Sequence, residues 1–381
     1  MILPKLRWVI CLTNSLNKHI CLFLIFLLGG CASVPEQAVS HRDPGRKKAL
    51  IAVLPVENLS GTGAPLNDIR NLLLEKLKRR DIEVMNDAEL EKFVARNRMR
   101  YIGGLSPDAA RAFKTQEGID AVLIISLELY DVTSPPKIAF FMRLVSTADT
   151  PEILWMESTG MTGDDSPGLL ALGEINDPLE LREKAMSRLV NSLSKHLADG
   201  REGEAEKRPA KKFSPKISYR SPILNPGGNY SIMVVPFLNA GDRKNAGELM
   251  ALHFIEQFRR AGNFRIVDPG AIRQGLLDLR IIMQEGLSLA DADALFSIID
   301  ADLILTGKVF SYQDYRGLTG TPKVDFSTIV IEKKSREVVW SSDSYNQGND
   351  GVFFFDFGQV NSAHSMASQM VTNIIGRMSR G

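Results

Sequence analysis

Cysteine is the first scarcity: the chain carries three, Cys11, Cys21 and Cys31, and none beyond position 31. Disulfides, thiol catalysis and Cys-ligated zinc are therefore excluded from everything downstream. A fold without crosslinks must be held by its apolar core, and a hydrophobic fraction of 44 % supplies one. Charge of one sign is lacking too. The 46 basic and 45 acidic side chains leave a formal charge of +1, which gives no electrostatic case for a nucleic-acid partner. Long hydrophobic runs are missing as well. The uncharged apolar block Ile20–Leu28 has nine residues, whereas a helix needs about twenty to cross a bilayer.

What surrounds that block is more specific. Basic Lys5, Arg7 and Lys18 precede it and small residues follow, the layout of a signal peptide. The quartet Leu28-Gly29-Gly30-Cys31 resembles the lipobox of bacterial lipoproteins. That resemblance implies cleavage between Gly30 and Cys31, a diacylglycerol on the Cys31 thiol and acylation, as with palmitate, of the freed amine. The alternative is an ordinary signal peptide with an incidental cysteine. Ala32 is not the Asp that marks inner-membrane retention in enteric relatives, so the expected location is the outer membrane, facing the periplasm. On this reading residues 1–30 are the signal and 31–48 a polar tether, with membrane lipid the partner reached through acylated Cys31.

Beyond the tether the chain is written twice. "IAVLPVEN" from Ile51 returns as "IMVVPFLN" from Ile232, and "GLS" at Gly104 returns at Gly286. "IDAVLI" from Ile119 returns as "IDADLI" from Ile299, and "ILW" from Ile153 as "VVW" from Val338. The offsets stay between 180 and 185 residues, far too long for a solenoid. Two copies of one domain are expected, at 49–198 and 230–381, each with its own core. Residues 199–229, rich in charge, Pro and Gly, read as a linker between them.

Each copy reads as an apolar strand ended by Pro and Asn, then a helix with apolar residues four apart: Ile69, Leu73, Leu77 and Met250, Phe254, Phe258. A short strand leads to helices capped at Asn86 or Asp268, and a further helix begins at Ser106 or Ser288. A buried strand, a two-strand hairpin and a closing amphipathic helix complete the unit. The fold class expected is α/β, two tandem copies of a mixed-sheet α/β domain.

This order, with "IAVLPVEN", "GIDAVLI" and a hairpin bearing Trp155 or Trp340, resembles the CsgG-like, TolB amino-terminal and LpoB-type proteins of the bacterial envelope. The resemblance implies a non-enzymatic lipoprotein acting by protein–protein contact in envelope assembly, secretion or cell-wall synthesis. Its partners would be envelope proteins, and a homo-oligomer is a further candidate. The duplication departs from the single domain of CsgG and the LpoB-type activators. Two rivals remain, a CsgG-like oligomeric pore and a periplasmic enzyme. The pore would need extra lipid-facing strands of about nine to eleven residues, and the hairpins are already used by the fold.

No motif supplies chemistry, so no cofactor, no metal and no catalytic residue is expected. "Ser60-Gly-Thr-Gly63" lacks the third glycine of a dinucleotide fingerprint and the Lys-Ser/Thr of a P-loop. Asp291, Asp293, Asp300 and Asp302 do not follow calcium-loop spacing. The histidines are not paired at metal or triad spacing, and His253 reads as a border position on a helix. Trp155 and Trp340 read as packing residues. The strip "GVFFFDFG" from Gly351 fits burial beneath the sheet or an exposed contact strip. Its candidate partner contacts are Phe354, Phe355 and Phe357; strand alternation turns Phe355 and Phe357 inward and leaves Phe354 outward.

Overall fold

The computed structural model describes residues 49–165, 173–200, 212–315, 317, 320–352 and 359–380. Gly30, Cys31, the tether and the strip with Phe354, Phe355 and Phe357 lie outside the described residues. Residues 47–381 form one compact unit.

The first segment opens with β1 (Ile51–Val53), stopped before Pro55, and β2 (Glu57–Asn58). Helices α1 (Leu66–Arg79), α2 (Asp87–Arg96) and α3 (Pro107–Glu117) follow. The Asn86 and Ser106 side chains cap the second and third of these by accepting backbone N–H groups. Then come β3 (Ala121–Asp131), β4 (Lys137–Ser146), β5 (Ile153–Thr162) and α4 (Pro178–Asp199). β1 and β2 pair parallel with β3, and β3, β4 and β5 run antiparallel, giving a five-stranded mixed sheet.

The second segment repeats that order with two additions. β6 (Ile217–Arg220) and β9 (Phe264–Ile266) extend the sheet at its edges. Between them stand β7 (Tyr230–Val234), β8 (Leu238–Asn239) and α5 (Ala246–Ala261). Helices α6 (Pro269–Asp278) and α7 (Leu289–Ile298) lead to β10 (Leu303–Gln313), β11 (Lys323–Glu332), β12 (Val338–Gln347) and α8 (Ala363–Arg380). The seven strands order as β6-β12-β11-β10-β7-β9, with β8 beside β10. The α/β class with two mixed sheets is as the sequence reading expects. Among the described residues every strand belongs to one of these sheets.

The layers explain the burial. α1 and α4 cover one face of the first sheet, packing Leu73, Leu77, Leu189 and Leu193 on Leu123, Phe140 and Trp155. α5 and α8 lie between the two sheets. One apolar cluster joins Ile124, Phe141 and Met156 of the first sheet to Met250, Phe254 and Met370 of the helices and Leu305, Phe326 and Trp340 of the second sheet. α6 and α7 pack on the far face of the second sheet over Met233, Ile304 and Ile331. α1 is amphipathic, with Asn71, Glu75 and Arg79 exposed, whereas α5 is buried on nearly every side. A helix enclosed in this way must find partners for its buried polar side chains inside the protein.

Three expectations change. The segments share their largest core cluster, so the second helix layer completes the first sheet as well as its own. The stretch read as a linker is partly structural: Phe213 and Leu224 are buried in that cluster, and β6 pairs with β12 through Trp340 and Arg220. The short strand expected around Val84 is a single bridge to Ile51.

Candidate functional site

The seam between the first sheet and the α5/α8 layer holds a connected set of buried polar side chains. On α5, His253, Glu256 and Arg260 fall three and four residues apart and so share a face. Glu128 interrupts the apolar run of β3 and is fully buried. Ser158 on β5 and Tyr312 on β10 flank it, and His364 stands at the start of α8. Gly160 makes the approach of α8 possible, because a Cβ there would lie 2.5 Å from His364 Cδ2. Asp314 fixes the helix start by accepting the Ala363 N–H at 2.7 Å.

The contacts form one chain. Ser158 donates its hydroxyl to Glu256 Oε2 at 2.7 Å and its N–H to Oε1 at 2.9 Å. His364 Nε2 is 3.2 Å from Ser158 Oγ, and its Nδ1 is 2.5 Å from Glu128 Oε2. Tyr312 donates to Glu128 Oε1 at 2.5 Å, and His253 Nε2 meets the same hydroxyl at 2.9 Å. Arg260 closes the far end by donating to Glu256 at 2.8 Å and Glu157 at 3.0 Å.

The electrostatics follow. Burial alone would raise the Glu128 carboxyl, but His364, His253 and the Tyr312 hydroxyl hold it down at about 2. Glu256 is likewise pushed up by burial and pulled below the usual range by Arg260 and Ser158. Burial raises Glu157 to about 7, against the opposing Arg260 charge. Burial and the adjacent Glu128 carboxylate lift the Tyr312 hydroxyl well above its ordinary value.

Ser158, His364 and Glu128 stand in the order of a hydrolytic triad. Two features oppose that chemistry. The serine proton goes to Glu256 rather than to the histidine, and all three groups are buried. A cavity of about 380 Å³ beside them is lined by Gly160, Lys184, Arg188, Asn361, Ser365 and Gln369, not by the triad atoms.

A second buried pair crosses the same seam. Arg143 of β4 and Asp268, which caps α6, lie 3.8 Å apart, and Arg143 also donates to the Gly103 carbonyl. The backbones touch here: a Cβ on Gly104 would meet Gly270 N at 2.4 Å.

The sequence reading missed this site. His253 is not a border residue but fully buried, its ring centroid 4.9 Å from that of His364. The available signal was Glu128 within a largely apolar strand, together with a helix in which His253 and Glu256 stand among apolar residues. Other motifs take structural places. Ser60 and Thr62 close a turn with Asn58, Asp291 forms a capping box with Ser288, and Asp302 accepts from Ser231. Asp293 faces Arg336 and Asp300 faces Arg265. Trp155 and Trp340 are buried.

No protein-family model matches the chain, and no curated protein matches it. Part of the chain is similar to solved structures. The PelC dodecamer from Paraburkholderia phytofirmans is 16 % identical, aligned over 43 % of this chain and 96 % of that one, with a TM-score of 0.30. The lipoprotein GNA1162 from Neisseria meningitidis is 18 % identical over 39 % and 97 %, with a TM-score of 0.27. The LpoB C-terminal domain from Escherichia coli is 15 % identical over 32 % and 84 %, with a TM-score of 0.23.

Proposed function

We propose that the chain is a lipid-anchored, non-catalytic protein of the bacterial envelope. It holds a partner protein against the part of its second sheet's outer face that α6 and α7 leave uncovered. The two segments are read as copies of one domain stacked in the same direction, with Cys31 acylated at the outer membrane and the body in the periplasm.

One observation carries the contact reading. Strand register matches the two sheets row by row. Phe141 lies between Ser126 and Ser158 in the first sheet; Ser327 lies between Lys308 and Asp343 in the second. Ala139 pairs with Gly160, and Asp325 pairs with Tyr345. The first of these faces receives α5 and α8. The second is exposed at Ile217, Tyr219, Phe310 and Tyr345, beside Lys308, Asp325 and Asp343. Aromatic side chains among charges of both signs have the make-up of a recognition surface. A helical surface of a partner is the occupant that the twin face suggests.

The non-catalytic part rests on the sealed triad order and on the serine proton being spent on Glu256. The test is recovery of envelope partners by the full-length anchored protein and by its Tyr219→Ser/Tyr345→Ser form. Loss of specific partners with unchanged thermal unfolding is expected. Undiminished recovery by the double variant overturns the assignment of this face.

A further inference from the structure

The Glu128–His364 contact raises a question of proton placement. Ser158 has one hydroxyl proton and gives it to Glu256, so Ser158 Oγ accepts from His364 Nε2. That sets a proton on Nε2. A neutral His364 ring then turns the Nδ1 lone pair toward Glu128 Oε2 at 2.5 Å. Two bare acceptors cannot stand so close. At this separation a proton bridges them, as in a charge-assisted hydrogen bond.

The donor set around that proton is one that a metal ion could take over, with the 2.5 Å contact opening to admit it. Glu128, His253 and His364 each offer a donor atom within 4.8 Å of the others, and all three are buried. His253 Nε2 is 4.0 Å from Glu128 Oε2. Donors around tetrahedral zinc stand about 3.3 Å apart, given metal–ligand bonds of about 2.0–2.2 Å. The observed separations of 2.5 and 4.0 Å straddle that value. The supporting contacts are also of the kind that metal ligands require. Ser158 and Glu256 hold His364 from behind, and Tyr312 holds the other Glu128 oxygen at 2.5 Å.

We propose that Glu128, His253 and His364 bind a divalent late transition metal of the zinc class. The ion replaces the proton at His364 Nδ1, which is released. The His253 ring proton moves from Nε2 to Nδ1, freeing the Nε2 lone pair for the ion. Two positive charges enter and one proton leaves, so the site gains one net positive charge; Glu128 binds the ion directly, and the Glu256 charge is already taken up by Arg260. Two imidazoles and one carboxylate favour zinc, cobalt, nickel or copper over magnesium or calcium, which prefer oxygen donors. Because the three ligands come from β3, α5 and α8, the ion joins the first segment to the second. This inference is independent of the partner-binding reading.

The test uses the full chain, stripped with a chelator, loaded with Zn²⁺ or Co²⁺ and dialysed free of unbound ion. About one equivalent retained is expected, together with visible Co²⁺ bands for a site with two nitrogen ligands and a higher Tm with Zn²⁺ but not with Mg²⁺. Glu128→Gln and His364→Gln should each weaken retention tenfold or more. Equal retention by wild type and a folded Glu128→Gln form overturns the proposal by placing the metal elsewhere. Should the variants not fold, the wild type decides alone: no retained ion, no Co²⁺ bands and no Tm shift means that a proton holds the pair.

Discussion

Asp268 Oδ1 accepts the backbone N–H of Leu105 at 2.7 Å while also capping α6 through Gly270 N at 2.7 Å. One carboxylate thus starts a helix in the second segment and holds the entrance to α3 in the first. Its other oxygen faces Arg143, and neither side chain reaches solvent.

Asp268→Ala should therefore be severe. It leaves a buried guanidinium without its counter-charge and two backbone donors without an acceptor. Removing one partner of a buried pair costs roughly 3–5 kcal/mol. Asp268→Asn keeps the Oδ1 acceptor and should fall between the two. Denaturant midpoints at constant m-value measure both.

The shared core predicts that the segments are not autonomous. A fragment of residues 49–200 would expose Ile124, Phe141 and Met156, which α5 and α8 cover in the whole chain. Calorimetry should show no cooperative transition, or a much lower Tm, for this fragment alone, and recovery when residues 212–381 are supplied. A fragment as stable as the full chain would refute the shared core.

Glu157 gives a pH signature. Its carboxyl is raised to about 7 in the folded protein, chiefly by burial, against about 4.3 unfolded. The folded state holds the proton more tightly, so this contribution is fully present below the unfolded value. It declines as pH rises and is lost above about 7, by roughly 2–4 kcal/mol in all. Glu157→Gln should flatten the fall in stability between pH 5 and pH 8. A wild-type stability that rises over that interval, without a matching change in the variant, would contradict the assignment.

Gly160→Ala tests the close approach of α8. The added methyl would meet the His364 ring, and relief requires the helix to shift. Overpacking of this kind costs about 1–3 kcal/mol. Gly163 has a counterpart crowding, against Ile175 O within the first segment, so Gly163→Ala should destabilise without altering the histidine NMR signals that Gly160→Ala displaces.

Cys31→Ser should abolish acyl mass and leave the protein uncleaved or soluble. On the proposed acylation of Cys31, membrane association of the wild type should survive a high-salt wash. Fractionation and mass measurement check both.

The elements themselves were legible because local rules set them. Asn86, Ser106, Asp268 and Ser288 cap the helices where the sequence places caps, and the apolar runs become the central strands. The seam was not legible. Glu256 sits 98 residues after Ser158 and 108 before His364, so no local spacing connects them. What joins them is the placement of α5 between two sheets, a packing outcome. The same placement explains why α5 lacks the charged face of α1. It also explains why Phe141 has Ser327 as its counterpart: one position is covered, the other faces solvent.

The seam joins unlike surfaces, a sheet face of one segment to a helix face of the other. In a symmetric dimer built from identical subunits, a substitution at the contact would alter both sides of it at once. Here each seam residue occurs a single time. Glu128 could be acquired without placing a carboxylate in the second sheet, where Phe310 stands half in water. Joining unlike faces in one polypeptide thus lets one sheet face specialise inward while the other is free to change outward.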